Sequence, residues 1–534
     1  MRILLVALFV NFCLIETALS ATLPESVRAA LKRANIPPAA VGIVVQQSDA
    51  DTPLLSQNAS RATNPASTIK LLTTIAALGT LGPAYQWKTE AYLDGELDNG
   101  VLQGNLVFKG YGDPKLTIEQ FWLWLRELRQ RGLRDIRGDI VLDRSFFEAI
   151  GHDAAEFDND PTRAYNVGPN ALLLNFNALR LRLTPEAAKA GAAETGGVHT
   201  GALLEPDLSG YQVNNRITAT AKRSCHGGDT HTAHLEARTI VLEGTIPVGC
   251  GEVENYFSLL PHDEYFFASF SALWQELGGT LQGGLREGRA PVGQPAFSTH
   301  LSPPLSEVIR DINKFSNNIM ARQLFLTLGT TTPVETPNLP ATDLPSTEMI
   351  APIETPPATP PDTRAADDPD ASSPVVGTPV AGTPGTHNPD ASFQAANIAR
   401  STAAVRQWLH QQQLYFPELV LENGAGLSRK ERISPQHLAD LLQHATRSPF
   451  AAELEASLPI LGMDGSLKKR FKGSEIAGYA HLKTGTLEGV KSLAGYVKAR
   501  SGKQWIVVFV INHPNAAAGQ DAQDALVAWV QQQL

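Results

Sequence analysis

A serine and a lysine three residues apart, Ser67-Thr-Ile-Lys70, open a predicted helix and set the strongest constraint on what this chain must build. Pro65 suits the first turn of a helix, where its missing N–H leaves no bond unmade. Ile69, Leu72 and Ile75 follow as an apolar stripe at helical spacing, and the pattern runs to about residue 78. Gly79 and Gly82-Pro83 then read as breakers. Ser67 and Lys70 share a face of that helix, near the positive end of its dipole. A partly desolvated amine beside a hydroxyl can serve as its base. Such a tetrad arises by chance about once in a chain of this length, so it carries meaning only through partners that the fold brings to it.

The 534 residues predict two to four domains. A composition of 43% hydrophobic and 18% charged residues is that of a soluble globular protein. The net charge of −10 argues against a nucleic-acid partner. Much of that charge sits in residues 331–390, with nine acids against one arginine, 14 prolines and no aromatic residue. Such a segment cannot bury enough apolar surface to offset its chain entropy, and it reads as a disordered acidic insertion. The arginines between 126 and 137 are interleaved with Glu127, Asp135 and Asp139, the pattern of a solvated helix face.

Residues 1–20 have the form of a secretory signal peptide: Arg2, an apolar run, then Ala18-Leu19-Ser20 before Ala21. Phe12 before Cys13 is not the small residue that a lipid-anchor cleavage site needs. The expected location is therefore outside the cytoplasm, in the periplasm. Export makes a disulfide between Cys225 and Cys250 the expectation, worth about 3 kcal/mol on the loop-entropy estimate. His226, His231 and His234 lie within that loop but lack a recognised zinc spacing, so neither metal nor cofactor is expected.

Along the chain, residues 25–33 read as a helix and 40–46 as a buried strand. Two strands, 87–93 and 101–109, flank the turn Asp98-Asn99-Gly100. A helix over 117–130 presents Phe121, Trp122, Leu125 and Leu128 inward, and residues 136–142 form a strand. Strand-like runs at 172–183, 211–218 and 239–248 suggest a nested β domain, closed by a helix at 264–277 and a strand at 280–286. Helical periodicity returns over 305–328, and helices follow at 395–411, 435–445 and 451–458. Strands at 475–483, 492–499 and 504–512 precede a closing helix at 520–533.

Two tripeptides give the opening tetrad its partners. Ser316-Asn-Asn318 lies in the second helical region, and Lys483-Thr-Gly485 lies at the end of a predicted strand. The order Ser-x-x-Lys, Ser-x-Asn, Lys-Thr-Gly suits acyl transfer. Lys70 would take the proton as Ser67 attacks a carbonyl. The N–H groups of Ser67 and Thr486 are candidates for an oxyanion hole. Ser316 would relay a proton to the leaving amine, and Asn318 would hold the substrate amide. Lys483 and Thr484 offer a cation and a hydroxyl to a terminal carboxylate, and Gly485 lets substrate approach the strand.

With these motifs in view, the chain resembles the class C low-molecular-mass penicillin-binding proteins, the S13 D-alanyl-D-alanine carboxypeptidase/endopeptidases. Gly110-Tyr-Gly-Asp-Pro-Lys-Leu-Thr117 is similar to that family's GxGDPxLT, and Glu422-Asn-Gly-Ala-Gly-Leu-Ser-Arg429 to its DGSGLSR. Tyr165-Asn-Val-Gly-Pro-Asn-Ala-Leu172, Leu458-Pro-Ile-Leu-Gly-Met-Asp-Gly-Ser466 and His481-Leu-Lys-Thr-Gly-Thr-Leu487 extend the likeness. The resemblance implies an α/β (α+β) fold: a DD-peptidase/β-lactamase-like transpeptidase core, an antiparallel sheet flanked by helices, with two nested β-rich inserted domains. The core would comprise residues 21–83 and 298–534, the first insertion 84–170 and 254–297, and the nested β domain 171–253. It further implies acylation of Ser67 with Lys70 as base, Ser316, Asn318 and Lys483 as the remaining catalytic set, and β-lactams as inhibitors. Substrates would be peptidoglycan stem peptides ending in D-Ala-D-Ala and cross-linked muropeptides. The family recognises diaminopimelate through an acid in the first insertion, and Asp160 lies where that acid is expected. A serine β-lactamase or an esterase on the same core, or a non-catalytic cell-wall binding protein, are the alternatives; the three intact motifs and the nested domains favour the peptidase.

Overall fold

A computed structural model describes residues 22–149, 151–185, 198–220, 225, 231–331 and 395–533. The expected signal peptide, His226 and all but the first residue of the acidic insertion lie outside the described residues. The helices are α1 (Glu25–Arg33), α2 (Lys70–Leu81), α3 (Ile118–Gln130), α4 (His262–Glu276) and α5 (Leu305–Phe315). They continue with α6 (Asn318–Gly329), α7 (Ile398–Gln411), α8 (Pro435–Thr446), α9 (Ala451–Ser457) and α10 (Gln520–Gln531).

The sheet that positions the site joins both ends of the chain. Its strands run in the order Ala480–Leu487, Val490–Lys498, Gln504–Asn512, Val41–Gln47, Leu55–Gln57, every neighbour antiparallel. Strand periodicity of two divides Gln504–Asn512 between two cores. Ile506, Val508 and Val510 face a cluster with Leu71, Leu72, Ile309, Leu324 and Leu438 from α2, α5, α6 and α8. Trp505, Val507, Phe509 and Ile511 face the opposite cluster with Val27 and Leu31 of α1 and Leu526 and Val530 of α10. A central strand so covered on both sides reads as an unbroken apolar run, as Trp505–Ile511 does.

A second sheet is built on the hairpin Lys88–Asp98 and Val101–Gly110, whose turn places Asn99 and Gly100 at φ 48° and 88°. Ser298–Leu301 pairs antiparallel with the first of these strands, and Ile140–Asp143 runs parallel to the second. A third sheet is formed by strands between Leu179 and Phe257. The two share one apolar cluster, in which Phe108, Phe121, Trp124, Phe266 and Phe270 meet Leu181 and Ile240. Cys225 and Cys250 are joined by a disulfide, as expected, with their Cα atoms 4.9 Å apart.

Several sequence expectations shift. Gly79 lies inside α2, which continues to Leu81; a Cβ there would stand 2.4 Å from Trp408 Nε1, so this glycine serves packing and not termination. Gly82, at φ 79°, ends the helix. On α3 the buried indole is Trp124, on the stripe of Phe121, Leu125 and Leu128, whereas Trp122 is half-buried and bonds Glu276. The strand expected at 136–142 is two short ones interrupted at Gly138, whose Cα packs against the Gly104 carbonyl. The strand expected from 172 begins at Leu179, because Asn175, Phe176 and Asn177 are all left-handed, at φ 46°, 58° and 51°. The strand expected at 475–483 runs over Ala480–Leu487, so Lys483-Thr-Gly485 lies mid-strand.

Candidate active site

The Ser67 turn is held from outside by side chains. Asn64 receives a hydrogen bond from Asn512 on its carbonyl, donates from its N–H to the Asn512 side chain, and donates from Nδ2 to Ser428 O. Its own Oδ1 accepts the Ala66 N–H at 2.9 Å. Ser492 on the sheet donates to the Pro65 carbonyl at 2.6 Å. These bonds leave Pro65 outside the helix and Ala66, fully buried, at φ 46°, a left-handed conformation costing about 1 kcal/mol for a residue with a Cβ. A 3-10 turn then carries Ala66–Ile69, and the α-helix proper begins at Lys70. The expected helical face survives this adjustment: Lys70 Nζ lies 3.0 Å from Ser67 Oγ.

The second motif depends on a break that helical periodicity conceals. Residues 305–328 form two helices, because Ser316 adopts φ 58°, ψ 35° between α5 and α6. Asn317 caps α6 by accepting the Met320 N–H. Lys314, just before the break, is buried; it donates to Leu458 O at 2.9 Å and pairs with Asp464 at 2.6 Å. That anchor ties the end of α5 to the 458–466 segment, whose Ser466 hydroxyl meets Thr484 Oγ1 at 2.7 Å. The break turns Ser316 and Asn318 towards different lysines. Lys483 Nζ bonds Ser316 Oγ at 2.8 Å, and Lys70 Nζ bonds Asn318 Oδ1 at 2.7 Å.

The third motif lies on the edge strand of the sheet. Ala480 O and the Leu482 N–H bond the 459–461 segment, on the side away from the neighbouring strand. Strand alternation sends the N–H groups of Thr484 and Thr486 towards that same side. Gly485 lies against the nucleophile turn: a Cβ there would stand 2.8 Å from Ser67 N and 2.2 Å from Ser492 Oγ. Only glycine lets the strand lie this close to Ser67.

Both lysines are fully buried. Burial, then Lys483, lowers the Lys70 amine well below its ordinary value; Glu431 opposes this and Arg322 adds to it. Lys70 also donates to the Ala425 carbonyl. A neutral amine has two N–H groups and one lone pair. With Asn318 Oδ1 and Ala425 O taking the donors, the lone pair is left for the Ser67 hydroxyl, the arrangement a general base requires. Burial lowers Lys483 to about 7. Binding of a substrate carboxylate by a Lys483 cation would therefore weaken above neutrality. The expected result is a kcat/KM profile for carboxylate-terminated peptides whose alkaline limb begins near pH 7, measured as D-alanine release across pH, since this ratio reports the free enzyme.

Asp160 is placed differently from the other candidates. Against the upward push of partial burial, hydrogen bonds from Arg163 and Thr162 hold its carboxyl below the usual range. The residue of this loop that touches the site is Tyr165, whose carbonyl accepts from Asn318 Nδ2 at 3.3 Å. Sequence reasoning missed Glu431, Arg322 and the Ala425 carbonyl. The pattern Ser428-Arg-Lys-Glu431, a hydroxyl three residues before an acid, was a visible signal: Ser428 Oγ accepts the N–H groups of Lys430 and Glu431.

Comparison with known proteins gives the family and the fold. A relative from Haemophilus influenzae, described as D-alanyl-D-alanine carboxypeptidase DacB, is 23% identical over 88% of this chain and 85% of its own. A D-alanyl-D-alanine carboxypeptidase of Actinomadura sp. is 25% identical over 94% of this chain and 83% of its own. The crystal structure of penicillin binding protein 4 from Haemophilus influenzae superposes with a TM-score of 0.67 at 21% identity, covering 94% of this chain and 99% of that one. That likeness shows the fold, the mixed α/β DD-peptidase/β-lactamase-like class that the motifs led us to expect. The model of the D-Ala-D-Ala carboxypeptidase 3 (S13) family matches residues 23–345 and 390–533, and the chain belongs to that family.

Proposed function

We propose that this S13 carboxypeptidase cleaves the terminal D-Ala-D-Ala bond of peptidoglycan stem peptides, and the equivalent bond of cross-linked muropeptides, through an acyl-enzyme at Ser67. The observation that carries the reading is the convergence of Ser67 and Asn318 on the Lys70 amine, with Ser316 on the Lys483 amine. Lys70 takes the Ser67 proton as Oγ bonds the carbonyl carbon. The oxyanion receives the N–H groups of Ser67 and Thr486. As the C–N bond breaks, the proton passes from Lys70 through Ser316 to the leaving amine. Water then attacks the ester carbonyl as Lys70 takes its proton; the bond from Ser67 Oγ to the acyl carbon breaks, and Lys70 returns the proton to Oγ, which frees the acid and Ser67.

Lys483 and Thr484 bind the terminal carboxylate, and Gly485 admits the substrate backbone beside the edge strand. Asp160, in the loop that reaches Asn318 through Tyr165, would meet the ammonium of diaminopimelate after exchanging its Arg163 partner. A related structure from Haemophilus influenzae contains a β-lactam, at a TM-score of 0.65, which supports penicillin as a mimic of the substrate here. Among the described residues no helix is long and apolar enough to cross a membrane, and residues 1–20 have the form of an export signal. We place the protein in the periplasm. The inserted regions, residues 84–170 with 254–297 and the nested 171–253, are joined through their shared apolar cluster and shape access to Ser67.

The test is to incubate the pure protein with pentapeptide monomers and with cross-linked dimers. Released D-alanine and resolved monomers, both lost in Ser67→Ala, are expected. Unchanged products in the alanine variant would remove Ser67 from the mechanism. A penicillin label that is lost rapidly would favour a β-lactamase.

A further inference from the structure

Glu431 is fully buried and belongs to none of the three motifs. Its Oε1 accepts the backbone N–H groups of Glu422, Asn423 and Gly424 at 3.2, 3.0 and 2.9 Å. Its Oε2 is buried without a hydrogen-bond partner. Three amides gathered on one oxygen fold residues 422–424 into a tight turn. Asn423 Oδ1 extends the turn by accepting the Ala425 N–H at 2.9 Å, and Thr73 of α2 donates to Gly424 O at 2.7 Å. The next carbonyl, Ala425 O, accepts from Lys70 Nζ. The carboxylate and the amine are thus the two ends of one short structure.

The charges around Lys70 point the same way. Lys483 faces it from the edge strand, Arg322 from α6 and Glu431 from the loop, and of these three Glu431 alone is negative. Arg322 is itself buried, donates to Val167 O at 2.8 Å, and has Glu431, Glu422 and Glu156 as its acidic neighbours. Burial pushes the Glu431 carboxyl up, while the three amides and Lys70 hold it down. Burial is the larger effect, so the carboxyl stays raised; the three amides and Lys70 offset only part of the cost of burying a carboxylate with an unpaired oxygen.

We propose that Glu431 is a positioning residue for acyl transfer: its carboxylate fixes the Ala425 carbonyl against Lys70, and its negative charge offsets the cations of Lys483 and Arg322 around that amine. The proposal rests on the acyl-transfer reading above. Its consequence is a base strong enough to accept the Ser67 proton while still free of its own proton near neutrality.

The test is the pH dependence of the second-order acylation rate with a labelled penicillin. Glu431→Gln keeps an oxygen for the three amides and removes the charge. Lys70 then loses its proton more readily, so the acid limb moves to lower pH by about one unit, with a lower plateau from the weaker base. Arg322→Gln removes a cation and moves the limb to higher pH. A folded Glu431→Gln whose limb stays in place overturns the proposal, because a purely structural role changes the rate without moving the limb. Should Glu431→Gln not fold, Glu431→Asp decides: it keeps the charge but draws the oxygen back from the amides. It should lower the plateau and leave the limb in place; an undiminished plateau overturns the proposal. Failure of the underlying reading looks different, since a wild-type protein that takes no label gives no profile at all.

Discussion

Lys70→Met is expected to lower the rate of acylation by penicillin roughly 10²- to 10⁴-fold, the range that a positioned general base contributes. Methionine fills nearly the same space, so the loss is one of chemistry. Two effects on stability oppose each other. Removing a fully buried amine relieves its desolvation, while Asn318 Oδ1 and the Ala425 carbonyl each lose a donor, at about 1–3 kcal/mol apiece. Stopped-flow labelling gives the rate and a thermal melt gives the stability. A fall in acylation with a melting temperature within a few degrees of wild type supports Lys70 as the base. Wild-type acylation in this variant would move the role to another group.

Gly426→Ala should damage the same step by geometry alone. Gly426 has φ 80°, and a Cβ there would lie 2.1 Å from Ala66 O, 2.4 Å from Ala66 C and 2.7 Å from Ser67 N. All three are backbone atoms in a turn already pinned by Asn64, Ser492 and Asn512, so none can swing aside as a side-chain tip would. Either the 422–428 loop or the nucleophile turn must move by a large part of an ångström. Misplacement on that scale costs about 10²-fold in rate. Overpacking together with the left-handed backbone costs about 3 kcal/mol in stability. The two variants separate the contributions: Lys70→Met leaves the melt near wild type, and Gly426→Ala lowers it. An unchanged melt in Gly426→Ala would mean that the loop does not buttress Ser67.

What the sequence made legible follows the physics of each signal. Period-two alternation and apolar runs place the strands Val41–Gln47 and Gln504–Asn512, because both faces of their sheet are buried and the pattern is dense. The pair Ser67 and Lys70 is local, three residues apart, so helical geometry alone sets their distance. Ser316 is harder to read. The apolar periodicity of α5 runs on into α6, and the left-handed break is fixed by Lys314 reaching Leu458 and Asp464, contacts between segments far apart in the chain. The same holds for Ala66, whose conformation answers to Asn512 and Ser492. Glu431 escaped because it acts through backbone amides, which every residue carries; only the fold shows which ones it gathers. Asp160 is legible as an acid in the right region, yet its Arg163 partner is a local contact that the spacing of three would have suggested.

Covalent acylation of Ser67 is the step on which the mechanism stands. Trypsin should release it within the peptide Ala62–Lys70, which follows Arg61 and ends at the proposed base. The decisive measurement is mass spectrometry of that peptide after brief exposure of the intact protein to penicillin. The expected result is the mass of one opened penicillin on Ala62–Lys70, localised to Ser67, persisting for minutes and absent from Ser67→Ala. An adduct on any other peptide, or an unmodified Ala62–Lys70 from protein that carries the label, would contradict it.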